Sequence, residues 1–198
     1  MYGLICKSLE GFVRDRRGAE AWGRIVARAE LPFETFEALR VHDKEMMLRL
    51  IAAAAQEMQR ETLALIEDVG HWICTHPPLE PVRRLIRFSG RNYVDLIHSF
   101  DEMQERAKLA LPGIDFPEFL VTEVGPGRFE VVARWEMAGA AALLTGMFRA
   151  MADDYGALAL IETTDFRRED GLSIEVISIH VIEQAFQEPK EFKLGLGV

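Results

Sequence analysis

Residues 90–117 read GRNYVDLIHSFDEMQERAKLALPGIDFP, and this stretch divides the chain into two halves of different character. Its middle carries Ile97, Phe100, Gln104, Ala107 and Leu111 at helical spacing, which predicts a long helix over about 91–111 with one apolar stripe. Pro112-Gly113 and Pro117 then end it. Gln104 is the anomaly, a polar carboxamide set into an otherwise apolar face.

Upstream of the stretch the pattern is helical. Leu4, Ile5, Leu9, Phe12 and Val13 share one side of a first helix, which Gly18 breaks before Trp22, Ile25 and Val26 begin a second. Leu31-Pro32 closes that segment, because proline disfavours helical geometry in the residue before it. Asp43 is placed to cap a third helix carrying Met46, Met47, Leu50 and Ile51. Residues 61–70 and 82–88 give two shorter ones. Downstream the period changes. Residues 118–124 and 129–135 flank Gly125-Pro126-Gly127 and read as a hairpin. Residues 137–155 are alanine-rich and helical, stopping at Gly156, and residues 158–164 and 173–181 read as two more strands about a charged turn, 167–171. Helices first and antiparallel strands later make an α+β chain. It is expected to be one domain over 1–187, helical to about 111 and sheet-based over 112–187, with a loosely attached tail at 188–198.

With 198 residues, 49% apolar and 28% charged, the chain has the composition of an ordinary soluble domain. A net charge of −9 opposes binding to nucleic acid or to anionic membranes, both of which demand a cationic face. The N-terminus does not read as a secretion signal, so Cys6 and Cys74 are expected to be reduced thiols in a cytoplasmic protein.

The 90–117 stretch resembles the proximal helix of the haem nitric-oxide/oxygen-binding (H-NOX) family. Gly90 and Asn92 match its Gly-x-Asn start, Asp101 its Asp-x-Leu-His end, and Pro112, Gly113 and Pro117 its closing turn. Met103 stands where the family has leucine, and Gln104 where it has the histidine that ligates iron. The start at Met1-Tyr2-Gly3 and the Val69-Gly70 pair are also similar to the family. The resemblance implies a helical N-terminal subdomain packed on a C-terminal four-stranded antiparallel sheet with helices. It further implies a pocket between them lined by Ile5, Ile73, Cys74, Ile97, Phe100, Met103, Gln104, Pro117 and Arg134. Haem is the family cofactor. The family's partners are signalling proteins such as a histidine kinase or a cyclic-dinucleotide enzyme.

Two departures bear on that cofactor. A neutral carboxamide is a poor iron ligand where imidazole is a good one. The family's Tyr-x-Ser-x-Arg, which holds the haem propionates, has no counterpart in residues 129–137, where no serine or tyrosine occurs. His98 lies about 120° around the helix from Gln104, and Met103 about 100°, so neither is a natural substitute. His71 and His76 flank Trp72-Ile73-Cys74 on what resembles the family's distal side. Histidine-ligated haem is therefore not expected, whereas another apolar ligand or haem held differently remains open. Gln104 reads either as a helix-edge amide reaching solvent or as a buried donor and acceptor for a ligand. No nucleophile, acid–base pair or metal cage is recognisable, and Asp153-Asp154 and Glu169-Asp170 read as solvated pairs. The competing expectations are a sensor with an altered pocket and an interaction scaffold whose pocket its own side chains, such as Phe100, Met103, Trp135 or Met147, have filled.

Overall fold

A computed structural model describes residues 2–38, 40–102, 105, 109 and 116–190. Helix α1 (Tyr2–Arg28) carries a break at Gly18 (φ 81°, ψ 177°), a left-handed value that glycine adopts without a Cβ clash. Helix α2 (Lys44–Met58) starts at Asp43, whose carboxylate accepts the Glu45 N–H at 3.3 Å. It stops at Gln59 in the left-handed region (φ 54°). Helix α3 (Thr62–Thr75) runs into a 3-10 turn (Pro77–Leu79), then α4 (Glu80–Arg87) and α5 (Tyr93–Ser99). The sheet comprises β1 (Glu118–Gly125), β2 (Arg128–Trp135), β3 (Leu158–Glu169) and β4 (Leu172–Glu183), with α6 (Ala140–Tyr155) crossing between β2 and β3. Strand order is β1-β2-β4-β3, antiparallel throughout.

The inner face of the sheet presents Phe129, Val131, Ala133 and Trp135 from β2 and Ile177 and Ile179 from β4, all buried. Helix α6 covers that face with Leu144, Phe148 and Met151. Helix α3 lies on α6 at very short range. A Cβ on Gly70 would meet the Leu143 carbonyl oxygen at 2.0 Å, and one on Gly146 would meet the Glu67 carbonyl oxygen at 2.0 Å. Two glycines thus notch the helices into each other, and α1 with α2 packs outside α3.

Long-range polar contacts hold these layers in place. Glu175 on β4, 4% exposed, accepts the N–H groups of Gly139 and Ala141 at 2.7 Å each, so a strand carboxylate caps the start of α6. Asp154, 2% exposed near the end of α6, pairs with Arg83 (2.5 Å) and Arg87 (3.1 Å) of α4. The Arg87 guanidinium lies 3.4 Å from the Tyr155 ring centroid. On α1, buried Glu10 accepts the Phe36 N–H at 3.0 Å and pairs with Arg14, holding the following loop against the helix.

Several sequence expectations need correction. The helix expected over 91–111 is α-helical over α5, tightens to a 3-10 turn at Phe100–Glu102, and is α-helical again at Glu105 and Leu109. In the 3-10 turn the Asp101 carboxylate accepts the Val121 N–H of β1 at 2.5 Å. The remainder of that expected helix lies outside the described residues, apart from Glu105 and Leu109. Helix α6 begins at Ala140 and not at 137, because Gly139 at φ 106° cannot belong to a helix. Strands β3 and β4 reach Glu169 and Leu172, leaving only Asp170 and Gly171, both at positive φ, to turn. Asp154 is not solvated, since its arginine partners permit burial, whereas Asp153 is exposed. The segment expected to be loose is tied as far as Lys190, whose N–H reaches the Asp154 carbonyl at 3.0 Å.

Candidate functional site

The 90–117 motif has a local structural logic. Asn92 caps α5 by accepting the Asp95 N–H at 2.8 Å. Gly90 has no room for a side chain, since a Cβ would meet the Leu96 nitrogen at 2.4 Å. The Tyr155 hydroxyl lies 2.7 Å from the Gly90 carbonyl and 2.9 Å from that of Arg87, donating its one proton to either. Asp101, as above, fixes the far end of the segment to β1. These contacts fix both ends of the segment from Gly90 to Asp101.

Helix α5 turns Ile97 inward, fully buried, followed by Phe100 at 1% exposure. Three rings meet at Phe100: its centroid is 4.8 Å from that of Phe148 on α6 and 6.0 Å from that of Phe119 on β1. The Tyr93 hydroxyl donates to the Phe148 carbonyl at 3.0 Å, and burial raises the pKa of that phenol. Cys74 is buried in the same continuous core, with Ile5 and Ile73 partly buried at its margin. Burial pushes the Cys6 and Cys74 thiols up to about 12, so neither is a ready thiolate. Pro117 is buried immediately before β1. Met103 and Gln104 lie outside the described residues. Arg134 is exposed on the outward face of the sheet, because side chains alternate along β2 and the inward positions fall on its neighbours. It therefore does not reach the space between sheet and helices.

That alternation also bears on the propionate clamp. A Tyr-x-Ser-x-Arg motif works because residues two apart stand on one face of a strand. The inward face of β2 reads Phe129, Val131, Ala133 and Trp135, with no charged group at any register.

The chain's five histidines are all among the described residues, and none lines the Phe100 cluster. His98 is exposed and meets the Phe129 ring edge-on at 5.3 Å. His71 is exposed on α3. His76 stacks on Trp72 at 4.5 Å beside Asp15, which accepts the Trp72 indole N–H at 2.9 Å. His42 packs between Phe33 and Phe36, where burial lowers its pKa. His180 is half-buried on the sheet's outward face. Among the described residues no group of three or more His, Cys, Asp or Glu is placed to hold a metal ion.

The family model for haem-NO-binding domains matches residues 2–162. The chain belongs to the H-NOX family. Solved relatives agree on the fold: a mutant of the T. tengcongensis H-NOX superposes with a TM-score of 0.76 at 17% identity, covering 94% of this chain and 100% of that one. A Cs H-NOX mutant gives 0.77 at 17% identity, covering 94% and 100%. An oxygen-binding H-NOX domain related to soluble guanylate cyclases gives 0.73 at 18%, covering 96% and 100%. Soluble guanylate cyclase 89Db of Drosophila melanogaster is 18% identical over 158 residues, which is 80% of this chain. The chain spans 24% of that relative's length. No described helix is long and apolar enough to cross a membrane.

Among the described residues, the inward face of β2 does not fit the propionates of the family's haem, since it supplies no charged group to neutralise them. Sequence reasoning did not anticipate the Asp154–Arg83–Arg87 cluster, the Glu175 cap or the Asp15–Trp72–His76 contact. Each joins residues far apart in the chain, and no spacing rule signals such pairs.

Proposed function

We propose that this H-NOX domain is a cytoplasmic sensor module that does not use histidine-ligated haem, takes an apolar ligand in its inter-subdomain pocket, and regulates a signalling protein. The wholly apolar inward face of β2 carries this reading. Such a wall favours uncharged ligand surface and would leave two propionates desolvated without counter-charges, at a cost of several kcal/mol per ion. Gln104, Met103, Ile97, Phe100, Ile73, Cys74, Ile5 and Pro117 are the residues proposed to line the site. Arg134 is left out because it faces solvent. Kinship with a soluble guanylate cyclase supports a signalling role, with a histidine kinase or cyclic-dinucleotide enzyme as the class of partner.

A second reading has its own observation. The close Phe100, Phe148 and Phe119 rings support a scaffold whose pocket is filled by its own side chains and which acts through protein contacts alone.

One experiment separates these readings from each other and from a haem protein. The wild type and Gln104→His are expressed with haem supplied, and absorption spectra and iron content are measured. The wild type is expected to show no Soret band with stoichiometric iron, and its appearance would overturn the proposal. A gain of haem by Gln104→His supports a pocket that still admits a flat apolar molecule. No gain, together with no binding of iron-free protoporphyrin by either protein, favours the filled scaffold.

A further inference from the structure

Away from the Phe100 cluster, exposed apolar side chains from three elements converge on one groove of about 370 Å³. Leu48 on α2, Leu63 on α3 and Phe166 on β3 are each about half exposed, and Ile66 and Met137 form the floor. Large contiguous apolar exposure marks interaction surfaces on soluble proteins, whereas scattered exposure does not. Arg168 stands at the rim, two residues from Phe166 and on the same face of β3. Its neighbour Arg167 is held by Asp165 and Glu169, but the Arg168 guanidinium makes no ion pair or side-chain hydrogen bond among the described residues. Lys44 and Glu136, also on the rim, pair with each other: the Lys44 ammonium lies 3.8 Å from the Glu136 carboxylate and donates to its carbonyl at 2.9 Å. Arg168 is thus the charged side chain of the groove lining that no ion pair engages among the described residues.

The lining of this groove comes from three layers of the fold. Leu63 and Ile66 are on α3, which Gly70 and Gly146 lock to α6, and Phe166 and Met137 belong to the sheet and its connection. Leu48 is on α2, joined to α3 through the left-handed Gln59. A displacement of α1 and α2 against the rest would widen or narrow the groove.

We propose that this groove is where the signalling partner docks, through an amphipathic helix whose large apolar side chains are flanked by carboxylates. This rests on the sensor reading above and adds the surface and the partner chemistry to it. Apolar side chains would fill the space over Ile66 and Met137, and a carboxylate would meet Arg168, whose free fork suits bidentate pairing. A basic partner helix would set its cations against Arg168, while the carboxylate on the rim, Glu136, is engaged by Lys44. An occupant touching both Leu48 and Phe166 would bridge α2 and β3.

The test uses the full chain and two fluorescein-labelled synthetic helices with identical Leu and Phe positions, one flanked by glutamates and one by lysines. Anisotropy titrations are expected to show the acidic helix binding about tenfold more tightly than the basic one, or better. Arg168→Glu should reverse that preference. Leu63→Asp, at an exposed site, should weaken the acidic helix by about tenfold or more with the melting temperature unchanged. Arg128→Glu, on the outward sheet face, should leave it alone. Equal binding of both helices, no binding of either, or indifference to both groove variants would overturn the proposal. So would a self-associated dimer that Leu63→Asp dissolves, or adsorption to phosphatidylserine vesicles that Arg168→Glu abolishes. Porphyrin titrations of the same variants keep the two readings apart, since they report on the inter-subdomain pocket and not on this groove.

Discussion

Replacing Glu175 isolates the contact that seats α6 on the sheet. Its carboxylate is almost wholly buried and accepts two backbone N–H groups at 2.7 Å that the first turn of a helix cannot satisfy internally. A hydrogen bond to a charged group contributes about 1.5–3 kcal/mol, so two amount to roughly 3–6. Removing the carboxylate also removes the cost of burying it, which brings the expected loss for Glu175→Ala to about 3 kcal/mol. Glu175→Gln keeps one acceptor oxygen but turns an amide N–H toward the second donor, for a loss of about 2 kcal/mol. Urea unfolding measures both, and a domain of this size should melt about 6–12 °C lower in the alanine variant. Amide exchange at Gly139 and Ala141 should accelerate before the rest of α6. The reasoning fails if the glutamine variant is within about 0.5 kcal/mol of wild type, because geometry this specific should not tolerate an opposed donor.

Other perturbations follow from the packing. Gly146→Ala should cost at least about 3 kcal/mol in urea unfolding, because its Cβ would strike the backbone of α3, which cannot rotate away. Gly23→Ala is the contrasting control: nothing lies within 4 Å of its Cβ, so helix propensity should stabilise the protein by about 0.5–1 kcal/mol. Asp154→Asn should cost about 3 kcal/mol by denaturant midpoint, since it takes a buried carboxylate away from the largely buried Arg83 and Arg87, of which Arg83 keeps Glu80. Stability should be flat just below pH 9 and fall as pH rises from 9 toward 12, as seen in thermal melts. The folded state raises both thiols from 9.0 to about 12, so it holds protons that the unfolded chain releases over that window.

Much of the architecture was legible because it rests on local periodicity. The Gly18 break, the Asp43 cap, the β1–β2 turn and the stop of α6 at Gly156 all follow from residue types at fixed offsets. What escaped was set by partners distant in sequence. The start of α6 is capped by a carboxylate on β4, and α5 tightens at Phe100 where Asp101 engages β1. Charged residues in β3 hid the strand's length, since 162–169 pair with β4 while exposing their side chains. For the site, the loss of the propionate motif was readable, but its meaning depended on which face of β2 each residue occupies. Arg134 illustrates this: composition offered it as an anion partner, and strand alternation turned it to solvent.

The Trp72 contact gives the molecule a built-in optical reporter. Its indole spans α3 and α1, stacked on His76 and tied to Asp15, while Trp22 lies in α1 and Trp135 in the sheet. With Trp22 and Trp135 replaced by phenylalanine, the emission maximum and lifetime of the remaining indole would follow the fit between the first helix and the third. Any ligand or partner that alters that fit would then become visible in a cuvette without an attached dye.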